Sequence, residues 1–409
     1  MMKNHWLYLE PYTFIFHNDE KVVFYNSTNG SYLSYFFSNY SHLSYIISEL
    51  ERPENGYGVL LDDSLVVELY KIIEDLRNSY SGDCILISKN TQFPYIFMPK
   101  FRIMEKNTIN IDSSSEAIKE KYGAEILNNL NEVTLFVDSD AILYGQYQDY
   151  PYCNQFIHSL HYKCENSIPD SVYLMLIKQL EKIGIGKLNI VLSHENTDFI
   201  TRYSSILNTC EFTICIYVNY EYMDLIMQIE EINNFYLVIN IHELSNLSKL
   251  KRDISKYRAR EMTWNVIVRS TEELMAVHDL EEITIIPYYN GINNDFFEEF
   301  IYNTIETILE YPLDKQSIFR RQTLNENFFG KLFILPNGDT YANLNEASIG
   351  NINEDSLAKM IFLEMNHSSA WFKLRNEGKC KTCVNRYLCP SPSNYEFVIG
   401  KPNLCHIHP

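Results

Sequence analysis

Six short apolar runs alternate with stretches of helical periodicity through the middle of the chain, and this alternation constrains the fold more than any other feature. The runs are VTLFVD (133–138), LNIVLS (188–193), FTICIYV (212–218), FYLVIN (235–240), WNVIV (264–268) and ITIIPYY (283–289). Helical patterns lie near 170–183, 198–208, 221–231, 244–258 and 271–279, and a last one covers 294–309. Near-continuous β-branched runs fit strands buried on both faces of a parallel sheet. Crossovers of this length favour parallel pairing with right-handed connections. The reading is an α/β fold of six βα units, closed in part as a barrel or lying open, with ligands expected at the C-terminal ends of the strands.

Composition limits the alternatives. A chain of 409 residues suggests two or three domains, and an apolar fraction of 46% supplies their cores. The net charge of −19 argues against nucleic acid as a partner, because phosphate binding needs a basic footprint. No run approaches the ~20 apolar residues of a membrane span. The opening MMKNHWLYLEPYTF lacks an apolar signal core. A cytoplasmic location is expected, where thiols are free or metal-bound instead of paired. No G-x-S-x-G, G-K-S/T or G-x-G-x-x-G motif occurs.

The first eighty residues read as a small α+β module. YTFIF (12–16) and KVVFYN (21–26) form a predicted hairpin around the polar turn 17–19. Residues 41–50 have helical spacing, and GYGVLL (56–61) is a short strand. Ser64 is positioned to cap a helix with an apolar face of Leu65, Leu69, Ile72, Ile73 and Leu76. Residues 84–88 suit another strand. The segment 91–132 reads as a connector, with Pro94, Pro99 and a helix starting near Ser115.

The tail carries four of the nine cysteines: Cys380, Cys383, Cys389 and Cys405, spaced C-x2-C-x5-C and then C-x15-C. Four soft thiolates suit one tetrahedral zinc or one iron–sulfur cluster, and spacing alone does not separate the two. A structural zinc knuckle or a set of unused buried thiols is the blander alternative.

Six βα units followed by a cysteine-rich module resemble a radical SAM enzyme with a SPASM domain. That family holds its catalytic cluster with C-x3-C-x2-C after the first strand. Here the loop reads LYGQYQDYPYCNQF, with Gln146 and Tyr150 where the first two cysteines would stand and only Cys153 matching. Neither replacement offers an anionic sulfur. Cys164 does not restore the spacing, and both cysteines read more readily as buried thiols. After the second strand, His194, Glu195 and Asn196 stand where a Gly-Gly-Glu-like turn would bind the cofactor's amino group. Loss of SAM binding and cleavage is expected, and no catalytic residue is assigned.

Further on, FFGKLFILPNGDTYANLNEASIGNINEDSL is similar to the opening of a SPASM domain, with Asn343 and Ser393 at two cysteine positions. The resemblance implies one 4Fe–4S cluster on Cys380, Cys383, Cys389 and Cys405, with zinc as the alternative, and Pro390 and Pro392 stiffening its loop. The missing triplet, the phrase CPSPSNYE and the first module most resemble the pseudo-radical-SAM proteins of Bacteroidetes peptide-modification systems. In that resemblance the hairpin FIFHNDEKVVFYNSTNG belongs to a winged-helix-like leader-recognition module, with Val22, Val23, Phe24 and Tyr25 as peptide contacts.

The implied domains are 1–90 for leader recognition, 91–132 as connector, 133–318 as a degenerate (βα)6 barrel and 319–409 as the SPASM domain. The expected function is a non-catalytic partner that binds a ribosomal precursor peptide and assists an active radical SAM maturase. Two alternatives stand beside it: an electron relay through the tail cluster, and an enzyme of altered chemistry using His194, Glu195 or Asn240 at the barrel mouth.

Overall fold

The computed structural model describes residues 4–52, 55, 58–87, 123–137, 168–192, 198–229, 235–244, 247–257, 262–367 and 370–407. The six apolar runs form strands β7 (Glu132–Val137), β8 (Lys187–Leu192), β9 (Thr213–Asn219), β10 (Tyr236–Ile241), β11 (Met262–Val268) and β12 (Ile283–Pro287). They lie side by side in sequence order and all pair in parallel. One face buries Leu135, Ile190, Ile216, Ile239 and Val266 against the crossover helices, and the other packs Phe136, Val191, Tyr217 and Val238 together. Both faces are therefore apolar, which is why these strands lack strict alternation.

The helices follow the same logic. Asp170–Ile183 begins after Pro169 and buries Tyr173, Leu176, Ile177 and Leu180. It stops at Gly184, whose φ of 74° places it in the left-handed region that glycine enters without strain. The predicted helix 294–309 is instead two helices, Asn294–Phe300 and Ile305–Leu309. Between them Asn303 donates its backbone N–H to the Leu404 carbonyl, and Thr304 with Thr307 forms a capping box. The break is tertiary in origin, so local periodicity carried no sign of it.

The sheet extends beyond β7. Strand β13 (Lys331–Ile334) pairs in parallel with β7, and β14 (Asp339–Tyr341) and β15 (Gly350–Asn351) follow antiparallel, giving nine strands in the order β12-β11-β10-β9-β8-β7-β13-β14-β15. This is a mixed α/β fold with a mostly parallel sheet of partial-barrel topology. Among the described residues it does not close. The hairpin read as the start of a separate C-terminal domain is thus part of the central sheet.

The N-terminal region holds two three-stranded antiparallel sheets. Strand β1 (Asn4–Leu9) lies between β5 (Gly58–Asp62) and β6 (Gly82–Ile87), and β3 (Lys21–Asn26) lies between β2 (Thr13–His17) and β4 (Tyr32–Phe36). The hairpin β2–β3 was legible, whereas β1 and β4 were not assigned. The cap near residue 64 belongs to Asp62, whose carboxylate accepts the N–H groups of Ser64 and Leu65, each at 2.9 Å. Leu43, Ile46, Ile47, Leu50, Ile72 and Leu76 cover one face of the β2-β3-β4 sheet through Val22 and Phe24. Its other face, through Val23 and Tyr25, packs on Ile308, Ile318, Val384, Leu388 and Cys389.

Candidate functional site

That double coverage relocates the expected peptide contacts. Val22, Val23, Phe24 and Tyr25 are at most 1% exposed, and their strand is paired on both sides. A central strand has no backbone groups left to offer an incoming chain. The expectation that these four residues touch a peptide is corrected here: they form the floor of the sheet. The edges are β2 and β4.

The outer side of β2 opens on a cleft of about 520 Å³. One wall is Ile15, Phe16, His17 and the turn to Glu20, and the other is the segment 381–387. Asn18 Nδ2 donates to the Thr382 carbonyl at 3.2 Å and ties the turn to that wall. His17 Nε2 lies 3.0 Å from Glu51 Oε2 at the helix end. Phe14 meets Phe319 edge-on at 5.6 Å, and Phe16 packs beside Tyr387 at 5.9 Å. These rings hold β2 against the tail, and among the described residues no further strand pairs with its outer edge. Asp19, Glu20 and Glu51 give the cleft acidic groups, faced by Lys381 and Arg386.

The tail cysteines require a second correction. Among the described residues, no group of three or more His, Cys, Asp or Glu side chains could hold a metal ion. The expected 4Fe–4S cluster or zinc on Cys380, Cys383, Cys389 and Cys405 is therefore not supported, nor is a SPASM-type cluster. All four are free thiols around a cavity of only about 20 Å³. Three of the sulfurs have protein partners. Cys380 Sγ donates to the Pro402 carbonyl at 3.7 Å, Cys383 Sγ accepts from the Asn385 N–H at 3.4 Å, and Cys405 Sγ accepts from Asn403 Nδ2 at 3.6 Å. Burial pushes the Cys380 and Cys383 thiols up and Cys389 to about 12. The spacing brought four thiols to one place, but spacing says nothing about sulfur charge or direction. The electron-relay alternative required a cluster and falls with it.

The two cysteine positions filled by other residues are built into polar networks. Asn343 Nδ2 donates to Asn394 Oδ1 at 3.0 Å. The Ser393 hydroxyl and N–H both donate to Glu396 Oε2, and Glu396 Oε1 accepts from Arg375 Nη2 at 2.8 Å. Arg375 and Glu396 are 8% and 7% exposed, a buried pair cross-linking the tail.

Toward the C-terminal ends of β9 and β10, the parallel register aligns Asn219 and Asn240 in one row with Asn265, at the middle of β11. Asn265 Nδ2 donates to Asn240 Oδ1 at 3.0 Å. His242 Nε2 lies 3.3 Å from Asn219 Oδ1. Burial first, and the Arg269 charge second, lower the imidazole to about 4. Of the residues expected at the strand ends, Asn240 sits here, while His194, Glu195 and Asn196 lie outside the described residues. So do Gln146, Tyr150, Cys153 and Cys164. No described helix is long and apolar enough to cross a membrane. Searches of family models, curated proteins and solved structures return no match to this chain.

Proposed function

We propose that the protein is a non-catalytic partner in the maturation of a ribosomally made peptide, binding the precursor's leader and presenting it to an active radical SAM maturase. The observation that carries this reading is the free edge of β2 facing a cleft of about 520 Å³. An extended peptide adds to such an edge by backbone hydrogen bonds, and alternate side chains enter the flanking cleft. The opposed carboxylates and cations along the walls suit a leader with both charge signs. Because the sheet floor is packed on the tail, a leader bound at β2 touches both ends of the chain at once.

The test places a photo-crosslinking residue at Asp19, on the cleft rim, and separately at Ser34, on β4. Each protein is irradiated with a candidate precursor peptide, with and without the maturase. Capture of the leader from position 19 supports the cleft. Absence of binding at micromolar concentration, alone or with the maturase, overturns the adaptor reading, and capture from position 34 alone moves the site to β4.

A further inference from the structure

The strand-end pocket carries a recognition chemistry of its own. Its volume is about 240 Å³, and it shares no lining residue with the cleft beside β2. Asn240 is 3% exposed and lines it. The Asn240 carbonyl oxygen is taken by Asn265, whereas its two amide hydrogens have no acceptor among the described residues. These donors, on a side chain so little exposed, face the pocket, where a ligand oxygen suits them.

Two exposed carboxylates, Glu221 and Glu243, line the same pocket, and no cation pairs with either among the described residues. Lys249 is the one cation in the lining, held over the Tyr220 ring at 5.3 Å. Within the lining two carboxylates face one ammonium, and Arg269 stands behind it, donating to the His242 carbonyl at 2.8 Å. A bare cation would meet the donor face of Asn240, and a bare anion would meet the two carboxylates. An occupant that carries both an acceptor and a positive charge satisfies both kinds of group.

We propose that this pocket binds a primary ammonium group adjacent to a carbonyl oxygen, the grouping found in a free amino acid and at the amino terminus of a peptide. Asn240 Nδ2 donates to the carbonyl, and Glu221 and Glu243 receive the ammonium. The proposal is independent of the leader-binding reading, because it rests on a different pocket.

Calorimetry on the full chain with triglycinamide, N-acetyl-triglycinamide and glycine provides the test. Saturable binding of triglycinamide is expected, weakened about tenfold or more by acetylation, which removes the ammonium charge. The exposed double variant Glu221→Gln/Glu243→Gln should weaken it by a similar factor without disturbing the fold. Glycine binding as tightly as triglycinamide assigns the pocket to free amino acids, and a preference for triglycinamide assigns it to peptide termini. Failure of both ligands to bind at millimolar concentration overturns the proposal, as does equal affinity for the acetylated peptide or for the double variant. Loss of leader crosslinking at the cleft with retained triglycinamide binding would separate the two sites.

Discussion

The hydroxyl of Tyr25 accepts the backbone N–H of Leu313 at 2.6 Å, across a separation of 288 residues. The same hydroxyl lies 3.4 Å from the Leu313 carbonyl. Tyr25 itself is 1% exposed, so this contact fastens the N-terminal sheet to the segment leading into the tail. Tyr25→Phe keeps the ring and strands the Leu313 N–H. A loss of about 1–3 kcal/mol is expected in urea unfolding, the usual cost of leaving one buried donor unsatisfied. An unchanged midpoint would show that solvent replaces the hydroxyl at no cost.

The pair Arg375–Glu396 should behave asymmetrically. Arg375→Met or Glu396→Leu alone leaves a buried charge and is expected to cost about 3–5 kcal/mol. The double variant should cost less than the two single changes added together, because no charge is stranded. Thermal unfolding of all four proteins closes the cycle, and simple additivity would mean the two side chains are not coupled.

Stability should fall as the solution is acidified through the range set by His242. The imidazole of the unfolded chain takes up a proton near its ordinary value of 6.5, while the folded site resists until about 4. Its contribution is therefore intact above 6.5 and is lost progressively toward 4, amounting to about 3 kcal/mol. His242→Gln should flatten that part of the stability curve. Equal slopes in the two proteins would place the titrating group elsewhere.

Cys389 should be slow to react. Burial raises its thiol to about 12, so little thiolate exists at neutral pH. Native protein treated briefly with iodoacetamide is expected to retain unmodified Cys389 by peptide mass mapping, and the denatured chain to be fully alkylated. Rapid native labelling at this position would contradict the burial described here.

Gly330 fixes how the last hairpin joins the sheet. Its φ is +77°, its carbonyl accepts the N–H groups of Asn131 and Glu132, and a Cβ there would lie 2.7 Å from the Asn129 carbonyl oxygen. Gly330→Ala is expected to destabilise the protein by about 1–3 kcal/mol through backbone strain and a clash that only main-chain movement relieves. A midpoint within error of wild type would show that the turn adapts.

The central sheet was legible because each strand is a short apolar run bounded by polar residues and separated by a helix. The addition of β13 beside β7 was not, since Lys331–Ile334 carries no mark of its distant partner. Val22–Tyr25 read as a hairpin strand offering peptide contacts. Two covering layers, one of them nearly three hundred residues away, made it a core strand. The asparagine row was visible in YVN, VIN and WN, yet only Asn240 was singled out, because parallel register had first to align it with Asn219 and Asn265. The tail cysteines show the opposite limit, where motif spacing was right about proximity and silent about protonation.

The packing of Val23 and Tyr25 on Ile308, Ile318, Val384 and Leu388 sets an order of events on the ribosome. The first module leaves the exit tunnel with one apolar sheet face uncovered, and its cover is translated some three hundred residues later. At about 5–20 residues per second, that interval is roughly 15–60 s. A nascent chain stalled before residue 308 therefore displays Phe14, Phe16, Val23 and Tyr25 to solvent, making early truncation products natural clients for chaperones.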